Sequence, residues 1–138
     1  MSDEPPLPSH ETTPTEPARP EKLVIVATHG LDDPERATIP LVMGNAALAM
    51  ETEVVLVLQS MGVTIATRGT YEHISAVGFD PVAKLLASFL ELGGKVLVCI
   101  PCLESRKIST DELVAGTLPV KAGRVVQEFL DADSVVNY

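Results

Sequence analysis

Two hydrophobic patterns alternate along this 138-residue chain. Short apolar runs with no polar alternation occur at Leu23–Thr28 (LVIVAT), Glu53–Leu58 (EVVLVL) and Lys95–Ile100 (KVLVCI). Runs of this length, rich in Val, Leu and Ile, predict strands covered on both faces, as in a parallel sheet. Between them the spacing turns helical. Pro81–Leu92 is the clearest case: Val82, Leu85, Leu86, Phe89 and Leu90 follow i, i+3, i+4, i+7, i+8, and Gly93-Gly94 supply the stop. Lys121–Ala132 is amphipathic through Ala122, Val125, Val126, Phe129 and Leu130, and Ser134–Asn137 reads as a last short strand.

The remaining stretches are less regular. After the loop His29-Gly30-Leu31-Asp32-Asp33, Pro34-Glu35 suits the first turn of a helix running to about Met50. Pro40 either kinks that helix or marks its start, with Thr38 as the cap. From Ile39 to Met50 it is apolar nearly all round, which predicts burial by the sheet on one side and by another subunit on the other. Met43 and Met50 read as core filling. Gln59–Gly78 is interrupted by Gly62, Gly69 and Gly78, so GVTIAT fits a short helix or a strand edge. Ser109 or Thr110 is expected to cap a short helix through Ala115, with Glu112 near its start. Strands alternating with helices, without hairpin signals, predict an α/β fold: βαβ units in a mostly parallel sheet of four or five strands, helices on both faces.

Composition separates a leader from this domain. Met1–Glu21 holds six of the eleven prolines and, through Asp3, Glu4, Glu11, Glu16 and Glu21 against Arg19, carries −4 of the net charge of −9. With almost no apolar side chains it cannot offset the entropy of ordering, so a disordered acidic tail is expected, followed by one domain over residues 22–138. The acidic balance argues against nucleic-acid binding and against adhesion to an anionic membrane surface. No apolar run approaches the roughly 20 residues that span a bilayer. The N-terminus lacks the basic and apolar regions of a signal peptide, which makes the cytoplasm the expected compartment.

There, two cysteines three apart read as catalytic, redox or metal-binding rather than as a structural staple. Cys99 and Cys102 are the only cysteines, and they stand where KVLVCIPCLESRKI passes from strand to polar segment. Reactive groups of parallel α/β sheets gather beyond the carboxyl ends of the strands. A helix opening after Cys102, Arg106 one turn on and Lys107 beside it would each favour a thiolate. Cys99 is expected at the mouth of the strand and Cys102 nearer the helix. His29, ending the first strand, is a second-rank neighbour of the crevice.

Other chemistries lack their residues. A zinc site needs about four ligands, and His10, His29 and His73 are scattered. Asp32 and Asp33 resemble the acidic pair of receiver domains, but no strand offers a phosphoacceptor aspartate at its mouth. No G-x-G-x-x-G loop is present, so neither a metal nor a nucleotide cofactor is expected.

These residues resemble the DsrE/DsrF-like sulfur-transfer proteins over nearly everything from Leu23 to Tyr138. The likeness rests on the opening strand followed by GLDDPERATIPLVMGNAALAM, on EVVLVLQSMGV and on LLASFLELGGKVLVCIPCLESRKI. It implies a three-layer α/β/α sandwich, assembly into trimers or hexamers, and a persulfide on the cysteine at the position of Cys99. Some subfamilies add a second cysteine three residues later, matching Cys102, so this chain resembles the C-x-x-C subgroup. It departs from the family's frequent Arg-Gly pair at Arg106-Lys107, where a different turn is expected, and many relatives lack the cysteine and serve as partner subunits.

The resulting expectation is a sulfur carrier or sulfurtransferase with sulfur donor and acceptor proteins as partners. Cys99 accepts sulfane sulfur, Cys102 releases it, and Arg106 and Lys107 keep the thiols charged. The alternative is a noncatalytic oligomeric subunit or a thiol redox-sensing interaction module. A thioredoxin-type oxidoreductase fits less well, because its C-x-x-C belongs near the first βαβ unit.

Overall fold

The computed structural model describes residues 19–138. Most of the acidic leader lies outside the described residues, but its last three belong to the folded unit. Arg19 grips Asp133 with two hydrogen bonds of 2.7 and 2.8 Å, and the Glu21 carbonyl accepts the Glu53 N–H at 2.9 Å. Those bonds from Arg19, joined by the Lys22 N–H, hold the Asp133 carboxyl down at about 2.

Five parallel strands form one sheet: β1 (Lys22–Ala27), β2 (Glu53–Leu58), β3 (Lys95–Cys99), β4 (Thr117–Val120) and β5 (Ser134–Asn137), ordered β4-β3-β2-β1-β5. Among the described residues, four α-helices accompany it: α1 (Pro34–Ala49), α2 (Val82–Glu91), α3 (Ile100–Ser105) and α4 (Ala122–Asp131). Side chains of the central strands alternate between two cores, as period-two geometry requires. Ile25, Ala27, Leu56, Leu58, Val96 and Val98 meet α1 and α2, whereas Val24, Val26, Val55, Val57 and Leu97 meet α4. Fully burying each such Val, Leu or Ile is worth about 1.5–3 kcal/mol, which is why the three longest apolar runs become the middle of the sheet. On the α4 side, Glu128 is held between Lys22 Nζ (2.7 Å) and Arg124 Nε (3.0 Å). Burial pushes that carboxyl up, but the two cations outweigh it and keep it below the usual range.

Several expectations are corrected. Thr117–Val120 is a strand, although its length and Pro119 hide it; a proline without an N–H is tolerated because β4 is an edge that pairs with β3 alone. The helix expected through Ala115 stops after one 3-10 turn, Thr110–Glu112, capped by Ser109 and Glu112. Past that turn Leu113 bridges Thr67 and the Val114 N–H donates to the Ala66 carbonyl, which draws the chain out of helical geometry. α1 starts at Pro34 under an Asp33 cap and carries Pro40 inside it, while the Thr38 hydroxyl bonds back to the Pro34 carbonyl instead of capping. Met43 and Met50 are not core: they are 48% and 78% exposed on the outer face of α1.

The ambiguous stretch after β2 becomes a 3-10 helix, Ser60–Ala66, whose residues Gly62–Ala66 are buried. It sits backbone-to-backbone on the end of β1, and a Cβ on Gly62 would strike the Ala27 carbonyl. Gly30 meets the same segment from the other side, against the Met61 carbonyl and Thr64 hydroxyl. α3 closes with the Ile108 N–H on the Leu103 carbonyl (3.0 Å) and the Lys107 N–H on the Glu104 carbonyl (3.0 Å). That double bond pattern puts Lys107 in the left-handed region, φ 56°, as a Schellman turn demands. Lysine here adopts the conformation a glycine would supply, so the departure from Arg-Gly leaves this turn intact.

Two stability outcomes follow from these contacts. Gly62→Ala must push the 3-10 helix off β1 and is expected to cost about 3 kcal/mol in urea unfolding. Lys107→Gly relieves an exposed left-handed lysine and is expected to gain about 0.5–1 kcal/mol in the same assay.

Candidate functional site

β3 ends at Cys99, which pairs with Val120 of β4 and caps α3 with extended backbone (φ −66°, ψ 114°). Pro101 then occupies the first turn of α3, where its missing N–H costs nothing. Cys102 follows on that turn. Both cysteines are free, half-buried thiols packed against the core beneath α1 and α2. The strand-to-helix junction thus brings them together at the carboxyl end of the sheet.

The two sulfurs have different surroundings. Burial pushes the Cys99 thiol above its ordinary value, and a hydrogen bond with the Cys102 side chain pushes it further. The Cys102 N–H and the Arg106 charge act in the opposite sense without overcoming this. Cys102 Sγ instead accepts a hydrogen bond from the Ser60 backbone N–H at 3.2 Å. Ser60 is exposed, so this contact lies at the surface. Its φ of 53° places a non-glycine residue in the left-handed region two residues after β2, where the 3-10 helix begins.

Arg106 stands one turn beyond Cys102, and its donors reach the framework around the thiols. Nη1 bonds the Cys102 carbonyl (3.1 Å) and Ser105 Oγ (3.2 Å), Nε the Met61 sulfur (3.4 Å), and Nη2 comes within 3.5 Å of Ser60 Oγ. It therefore staples α3 to the segment after β2 and lends charge to Cys99 from a distance. Lys107 is exposed beyond the helix end, and none of its described contacts is with either cysteine. With only six residues, α3 has little dipole to offer, and the donor that meets Cys102 comes from the neighbouring strand's loop.

His29 closes β1, separated from β3 by β2, and its Nδ1 lies 3.0 Å from Asp32. Burial would raise the Asp32 carboxyl, but the Gly30 N–H and His29 outweigh it and draw it down. The pair belongs to the loop before α1 and is brought to the same end of the sheet, without a described contact to the cysteines.

Ser60 and Met61 escape a reading by side-chain chemistry, since one contributes a backbone amide and the other a thioether. The available signal was position: the carboxyl end of β2 adjoins that of β3, and both line the same crevice. Among the described residues, no three His, Cys, Asp or Glu side chains gather as a metal cluster, and no helix is long and apolar enough to cross a membrane.

Comparison with solved structures finds the same architecture. The crystal structure of the ychN protein from E. coli superposes with a TM-score of 0.74 at 26% identity, covering 86% of this chain and 99% of that one. A protein of unknown function, MTH1491 from Methanobacterium thermoautotrophicum, shares the fold with a TM-score of 0.63 at 17% identity, over 86% and 99% of the two chains. An uncharacterized protein, MJ0760 from Methanocaldococcus jannaschii, is 27% identical over 96 residues, which span 70% of this chain and 35% of that relative's length. The sequence profile of the DsrE/DsrF-like family matches residues 21–138, from the end of the acidic leader to the last strand, and the chain belongs to that family.

Proposed function

We propose that this protein carries sulfane sulfur as a cysteine persulfide on the Cys99–Cys102 pair and relays it between proteins. The observation that carries this reading is the pairing of two free thiols at the mouth of β3, one of them meeting a backbone N–H. A thiolate of the pair attacks the outer sulfur of a donor persulfide. A new S–S bond forms, the donor's S–S bond breaks, and the donor leaves as a thiolate, with no net oxidation. Cys99 holds the sulfur at the strand end, and an acceptor protein's thiolate removes it by the same displacement. Arg106 holds the cysteine-bearing α3 against the segment that follows β2, and Lys107 adds positive charge at the rim. The reaction suits a reducing cytoplasm, where free thiols persist.

The exposed apolar face of α1 supports a homo-oligomer, and the family resemblance implies a trimer or hexamer. Met43, Ala46 and Met50 line a groove of about 170 Å³ against Val136 and Tyr138, and its walls are almost wholly apolar. A second reading draws on the raised Cys99 thiol: a subunit whose cysteines sense oxidation without carrying sulfur.

Intact-mass measurement after incubation with a persulfide donor separates the two. Sulfur carriage adds about 32 Da, one sulfur atom, to Cys99 or Cys102, whereas an unchanged mass favours the sensing subunit. Light scattering coupled to size exclusion tests the assembly. A trimer or hexamer is expected for the wild type and dissociation for Met50→Glu, because a charge on that face would be desolvated without a partner. A monomeric wild type would remove the oligomer from this proposal.

A further inference from the structure

The reading above leaves open which thiol meets the donor first. Resting on that reading, we propose that Cys102 takes the sulfane sulfur from the donor, that the Ser60 backbone N–H holds the charge on its sulfur during attack, and that Cys99 receives the sulfur next.

Three observations converge on this division. The Ser60 N–H points at Cys102 Sγ from a different element, so the donor stays in place while the thiol reacts. An N–H aimed at a developing sulfur anion stabilises it without reorganisation, as donors in an oxyanion hole do. Next, Ser60 is held at φ 53°, a conformation that disfavours a residue with a side chain. Strain of this kind persists only where surrounding structure enforces it, and it clusters at sites of function. The enforcing structure is visible: Arg106 bonds the Cys102 carbonyl and the Met61 sulfur, clamping α3 onto the residues that follow β2. Finally, burial raises the Cys99 thiol, so Cys99 resists ionisation, whereas Cys102 is the sulfur that the Ser60 N–H meets. The Ser60 contact also lies at the surface, on the side a donor protein can reach.

The sequence of bonds balances. The Cys102 thiolate attacks the outer sulfur of the donor persulfide, giving a Cys102 persulfide and the donor thiolate. Cys99 then loses its proton to solvent and attacks the same outer sulfur. Cys102 departs as a thiolate that accepts the Ser60 N–H, and the persulfide now resides on Cys99. No oxidant or reductant is consumed in either step. Ser60 acts through its backbone as a positioning residue, and Arg106 positions both partners.

The test uses the full chain with glutathione persulfide as the donor. Time-resolved intact mass and peptide mapping follow Cys99→Ser and Cys102→Ser. Cys99→Ser is expected to gain one sulfur and retain it on Cys102, and Cys102→Ser to gain it at least ~10-fold more slowly than Cys99→Ser does. In the wild type, the Ser60 amide resonance is expected to shift with pH at the midpoint of Cys102 alkylation, and to lose that shift in Cys102→Ser. If Cys102→Ser loads as fast as Cys99→Ser, or faster, this division of roles is overturned while sulfur carriage stands. If neither variant gains sulfur while the wild type does, the division of roles falls and carriage stands; if the wild type gains none either, both fall together. A Ser60 amide indifferent to pH across the alkylation midpoint removes Ser60 from the mechanism.

Discussion

Close backbone contact between the 3-10 helix Ser60–Ala66 and the end of β1 sets the geometry of everything at the carboxyl end of the sheet. Gly62 rests against the Ala27 carbonyl, and Gly30 closes on the same segment from the β1–α1 loop. Because neither glycine leaves space for a Cβ, the segment sits at one height above the strands. That height aims the Ser60 N–H at Cys102 and puts Met61 within reach of Arg106. The N–H that meets Cys102 is thus positioned by packing that contains no thiol. A change in the glycines would disturb the cysteines without touching them.

The two cysteines illustrate how one turn of chain can create unequal groups. Cys99 ends a strand within the sheet and is governed by burial; Cys102 stands on the next turn, facing an amide from a neighbouring loop. Only Ile100 and Pro101 separate them, and both thiols are half-buried, but their hydrogen-bonding partners differ. An exchange between such thiols has a preferred direction for each protonation state, because the better leaving group is the one whose thiolate is better held.

Much of this was legible in the chain. β1, β2 and β3 are unmistakable because both faces of a central parallel strand are buried, leaving no polar alternation to confuse the pattern. α2 and α4 show one apolar stripe each, and Cys99 and Cys102 announce themselves by residue type. β4 did not, since four residues with a proline carry almost no strand signal and only the open edge beside β3 makes them one. Met43 and Met50 read as core because apolar composition says that a face is covered without saying by what. Ser60 was invisible for a deeper reason: its contribution is an N–H common to every residue except proline, aimed by a backbone angle that no side chain spells out.

The two edges of the sheet differ in what they can join. β4 is short and contains Pro119, so it makes a poor template for a further strand, whereas β5 is exposed along its length with Val135 and Val136 on view. β5 stands three strands away from the cysteine-bearing β3, roughly 14 Å by ordinary strand spacing. A contact between copies of the chain along β5 would form on the far side of β1 from the cysteines. The strand that such a contact would use and the strand that ends in a thiol are then held apart by β2 and β1, the two most deeply buried strands of the sheet.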